Sequence, residues 1–71
     1  MNTRKVFSLK LQKAIKYSPI TYAELSRQLD ITKATMSMYK NSKALPSLET
    51  FNKICEILDV SANFLLGKND L

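Results

Sequence analysis

Apolar residues recur along this chain at helical spacing. Leu25 and Leu29 are four apart, Met36 and Tyr39 three, and Phe51, Ile54, Cys55 and Leu58 fall in step. Strand-like alternation is nowhere sustained. The pattern predicts an all-α fold of five short helices: about Thr3 to Tyr17, Tyr22 to Leu29, Lys33 to Tyr39, Leu48 to Leu58 and Ala62 to Leu66. The scarcity of glycine and proline suits such a bundle, and residues 1–71 read as one domain without linker or repeat.

Start and stop signals sharpen the boundaries. Thr21 with Glu24 three residues on has the form of a capping box, in which hydroxyl and carboxylate each satisfy a free backbone N–H. Asp30 and Ile31 make a turn, and Thr32 opens the next helix. Ser47 caps the fourth helix with Glu49 in its first turn; Ser61 caps the fifth and Gly67 stops it. The expected core comprises Val6, Phe7, Leu9, Leu11 and Ile15 with Leu25, Leu29, Ile31, Met36, Tyr39, Leu48, Phe51, Ile54 and Leu58. Cys55 reads as a small core residue. Residues 21–40 thus form two short helices around a tight turn, with Lys33, Ala34, Ser37 and Met38 off the apolar face of the second. That arrangement is the geometry of a unit that enters a DNA major groove.

Composition narrows the chemistry. With no histidine and one cysteine in 71 residues, neither a zinc site nor an internal disulfide is expected, and the free thiol fits the cytosol. No leader peptide, membrane span or cofactor is expected. An enzyme is excluded by the lack of a paired-carboxylate or nucleophile constellation and of a glycine-rich phosphate loop. The net charge of +5 is unevenly placed. Arg4, Lys5, Lys10, Lys13 and Lys16 crowd the first helix with no acid among them, whereas Glu49, Glu56, Asp59 and Asp70 outweigh Lys53 and Lys68 after Pro46. A basic front and an acidic back suit a surface that faces phosphates on one side.

The segment from Ile20 to Pro46 resembles the Cro and phage-repressor family of helix-turn-helix proteins. The resemblance rests on Ile20, Thr21, Leu25, Leu29, Ile31, Thr32, Thr35, Tyr39, Asn41, Lys43 and Pro46, matched without a gap, and on the tail Ile57 to Gly67. It implies a lambda-repressor-like fold. It further implies that Lys33, Ala34, Ser37 and Met38 read bases, and that Tyr22, Thr32, Thr35, Asn41 and Lys43 contact phosphates. The chain departs from the family where Tyr22 replaces the usual Gln, Asp30 the turn glycine and Ser42 the glycine after Asn41. It also departs at Lys40, which stands for an acid, and at Ile15, which stands for that acid's arginine partner. The Asp30 position is expected to need a positive φ.

Two functions follow. The first is a sequence-specific regulator of phage or prophage type that binds double-stranded operator DNA in the cytoplasm of a bacterial host. Phe64, Leu65, Leu66 and Leu71 would supply its homodimer interface. The alternative is a small antirepressor of the same fold that binds a phage repressor protein and lifts repression. Tyr22 and a recognition face holding Ala34 and Met38 favour the second reading, because they offer few directional hydrogen bonds to base edges.

Overall fold

The computed structural model describes residues 2–68, so Leu71 lies outside the described residues. The helices are α1 (Thr3–Lys16), α2 (Tyr22–Leu29), α3 (Lys33–Lys40), α4 (Leu48–Leu58) and α5 (Ala62–Leu65), and no strand occurs among the described residues. Helix α1 packs on α3 and α5, α4 packs on α2 and α5, and α2 meets α3 across the turn.

Each helix begins on a polar side chain that accepts a backbone N–H. Thr21 accepts from Glu24, Thr32 from Thr35, Ser47 from Thr50 and Ser61 from Phe64. Asn2 does the same for α1 by accepting from Lys5 at 3.2 Å, a cap missing from the sequence reading. Only half of the expected box forms at α2. The Glu24 carboxylate turns along the helix, accepting from Arg27 and from Gln28 at 3.0 Å, because those donors lie on its own face one turn on. Their hydrogen bonds, from Gln28 and then Arg27, hold the Glu24 carboxyl below its ordinary pKa.

The ends share one device. Beyond α2, α3, α4 and α5 a residue takes the left-handed conformation: Asp30, Ser42, Asp59 and Gly67, with φ of 56°, 63°, 55° and 73°. The next backbone N–H then folds back to a carbonyl five residues earlier: Ile31 to Ser26, Lys43 to Met38, Val60 to Cys55 and Lys68 to Asn63. These are Schellman closures, and three are made without the glycine that fits them best. Gly67 has a second constraint, since a Cβ there would lie 2.6 Å from Cγ1 of Val6.

Phe7, Leu11, Leu25, Ile54 and Leu65 are the most deeply buried apolar side chains, joined in the core by Ala14, Met36, Tyr39 and Leu58. Leu29, Ile31, Ile15, Phe51 and Cys55 pack around it, half-buried. Burial also raises the Cys55 thiol above its ordinary pKa. The ring of Phe7 meets Tyr39 edge-on at 6.3 Å and Phe51 at 6.0 Å, tying α1 to α3 and α4.

Three expectations need correction. Leu9 is 55 % exposed, because it stands about 200° around α1 from both Phe7 and Leu11. Leu48 is 87 % exposed; it opens α4 about 120° away from the face of Ile54. Leu65 is fully buried in the monomer core and is therefore not available to a dimer interface. Phe64 and Leu66 remain half-buried.

Candidate nucleic-acid interface

Helix α3 divides sharply by face. Met36 and Tyr39 point into the core, at 4 % and 7 % exposure. Lys33, Ala34, Ser37 and Met38 are all exposed and, at i, i+1, i+4 and i+5, form one strip along the helix. The four residues expected to read bases are thus brought together on one outward surface.

The start of this helix is fixed locally. The Thr32 hydroxyl accepts the Thr35 N–H at 3.1 Å and donates to Thr35 Oγ1 at 3.0 Å. Both groups of Thr35 thus engage the Thr32 hydroxyl, and Thr35 itself is half-buried. At the other end Asn41 donates from Nδ2 to Ser37 Oγ at 3.0 Å. Lys43 is exposed in the loop beyond, and its own backbone N–H closes the helix on Met38.

The far end of α3 is also held from a distance. Ser8, only 2 % exposed, donates from its hydroxyl to the Lys40 carbonyl. Gln12 donates to the same carbonyl at 3.0 Å and to Ser8 Oγ at 3.3 Å. A backbone acceptor that α3 itself cannot satisfy thus receives two donors from α1. Neither residue was singled out from the sequence, where a serine on an apolar helix face carries no signal of its partner.

The unusual Tyr22 and Lys40 meet each other. The Lys40 ammonium lies over the Tyr22 ring, 4.7 Å from its centre, so the start of α2 and the end of α3 are linked by a cation–π contact. Burial raises the Tyr22 hydroxyl above its ordinary pKa. Tyr22, Lys33, Ser37, Lys40 and Asn41 line a shallow groove of about 260 Å³ between the two helices. A second groove joins Tyr22 and Lys40 to Gln12, Lys13, Lys16 and Tyr17 of the first helix and its end. Its lining carries three lysines and no acid. Among the described residues no cluster of His, Cys, Asp and Glu suited to a metal occurs, and no helix is long and apolar enough to cross a membrane.

This arrangement presents polar and cationic groups on a displayed helix backed by an apolar core, as a double-stranded polyanion requires. No curated protein and no solved structure matches the chain. A family model for the Cro/C1-type helix-turn-helix DNA-binding domain matches residues 10–64, which takes in α2, α3 and α4, the second half of α1 and most of α5. The chain belongs to the Cro/C1-type helix-turn-helix DNA-binding family.

Proposed function

We propose that this protein is a sequence-specific transcriptional regulator of phage or prophage type, acting as a single domain on operator DNA in the cytoplasm of a bacterial host. Helix α3 enters the major groove with Lys33, Ala34, Ser37 and Met38 toward the base edges. Thr35, Tyr22, Asn41 and Lys43 approach phosphates, and Thr32 serves chiefly as the cap that aims Thr35. Two copies bind a two-fold site, meeting through apolar surface near Phe64 and Leu66. The observation that carries this reading is the strip of four exposed residues on a helix whose opposite face is locked into the core.

The test is fluorescence anisotropy against duplex from the protein's own regulatory region and against an unrelated duplex, at two salt concentrations. Preference for the first duplex, retained as salt weakens both, is the expected result. Lys43→Ala should weaken binding to both duplexes and lower the salt slope by about one, whereas Lys33→Ala should also erode the preference. Unchanged affinity in both variants would sink the proposal.

One observation favours a second reading, the antirepressor that binds a phage repressor protein. Met38, the last residue of the strip, is 46 % exposed, an adaptable apolar contact suited to a protein surface. Saturable binding to a repressor, with no operator footprint by this chain alone, would establish that reading instead.

A further inference from the structure

The base-facing strip of α3 has a hydrogen-bond polarity. Lys33 offers donors and no acceptor, and Ala34 offers a methyl group. Met38 offers a methyl and a sulfur that accepts only weakly. Ser37 is the one residue of the four that could act either way, and its surroundings bias it. Asn41 Nδ2 already donates to Ser37 Oγ at 3.0 Å, which occupies an oxygen lone pair and leaves the hydroxyl proton free to point outward. The carbonyl oxygen of the Asn41 side chain stands roughly two helical turns from Lys33, beyond the end of α3.

In the major groove guanine shows acceptors at O6 and N7, thymine an acceptor at O4 and a methyl, cytosine an amine donor, and adenine an amine donor beside an acceptor at N7. A strip of donors and methyl groups matches the acceptors and the thymine methyl, and all it offers an amine is the weak Met38 sulfur and the one Ser37 lone pair that Asn41 leaves open. Resting on the proposal that α3 lies in the major groove, we infer that this protein reads guanine acceptors and thymine O4 and methyl groups in preference to the exocyclic amines of adenine and cytosine. Lys33 would take guanine, Ser37 an acceptor on a neighbouring base pair, and Ala34 and Met38 the thymine methyls. The Ser37–Asn41 pair sets the sense of the one ambiguous contact.

The experiment selects a preferred duplex from a randomised library with the full chain and then edits single groups in it. Replacing guanine by 7-deazaguanine, or thymine by uracil, should lower affinity by about five- to a hundredfold at contacted positions. Replacing adenine by nebularine, which lacks the amine but keeps N7, should leave affinity within about twofold. Asn41→Asp reverses the bond, because a carboxylate can only accept from Ser37. Its added charge, at a residue placed beside phosphates, should weaken binding to every duplex, so the readout is the ratio between duplexes: the preference at one base pair should be lost while the Lys33-dependent ratio persists. Sensitivity to amine removal, or an unchanged preference profile in Asn41→Asp, would overturn the inference while leaving DNA binding intact. Failure of the library to yield any bound duplex would instead bring down the DNA-binding proposal itself.

Discussion

The two ends of α3 are held by different kinds of interaction. Its first turn is fixed within four residues, by Thr32 on the Thr35 N–H and hydroxyl. Its last turn depends on Ser8 and Gln12 reaching the Lys40 carbonyl across the fold, on Tyr39 against Phe7, and on Ser42 in a left-handed conformation. The difference separates tasks. A cap that needs nothing beyond its own turn asks no other element to cover the front of the helix. An end bolted to α1 holds the axis of the helix against the body of the domain.

That contrast can be broken from either side. Tyr39→Ala should have the largest effect, about 3–5 kcal/mol by urea denaturation, since it empties a core site and removes the ring packed on Phe7. For a 71-residue domain a loss of that size approaches the whole stability. Ser8→Ala with Gln12→Ala should cost about 1–3 kcal/mol, because the Lys40 carbonyl then loses both of its cross-fold donors. Hydrogen exchange should show faster opening in the last turn of α3 than in the first. Thr32→Ala should cost about 1 kcal/mol and give the opposite exchange pattern, with the first turn loosened. If both variants loosen both ends equally, the division between local and distant anchoring is wrong.

Smaller changes sharpen the picture. Ser42→Gly should raise thermal stability by about 0.5 kcal/mol, relief of the left-handed strain being partly offset by the added freedom of the unfolded chain. Glu24 supplies the slightest effect. Its folded-state pKa is depressed, so its contribution is present above the ordinary carboxylate range and is lost as pH falls through the lowered value. A melting-temperature series from neutral to acidic pH should therefore decline less steeply for Glu24→Gln than for the parent chain.

The same division explains how far the sequence could be read. The bounds of α2 and α4 and the caps at Thr21, Thr32, Ser47 and Ser61 were legible, because each depends on residues within one turn. The left-handed Asp30 was legible through the family's glycine at that place. What depends on distant partners was not. Ser8 looks like an interruption of an apolar helix face until the Lys40 carbonyl is placed above it. Leu9 and Leu48 look like core until the faces are rotated into contact, and Leu65 looks like spare surface until α5 docks on α1 and α4. Lys40 and Tyr22 appeared as separate departures from the family pattern, and the structure shows them to be a pair.

The cation resting on Tyr22 also gives the molecule an optical handle. The chain has no tryptophan, so its ultraviolet emission comes from three tyrosines: Tyr17, exposed with the Lys16 ammonium 5.8 Å from its ring centre, Tyr39 in the core and Tyr22 beneath the Lys40 ammonium. Only Tyr22 sits in the groove beside α3, where an arriving polyanion would compete for the lysine. A Tyr17→Phe chain would carry one emitter in the core and one in the groove beside α3, so a change in its emission on adding DNA would report on that groove without any attached dye.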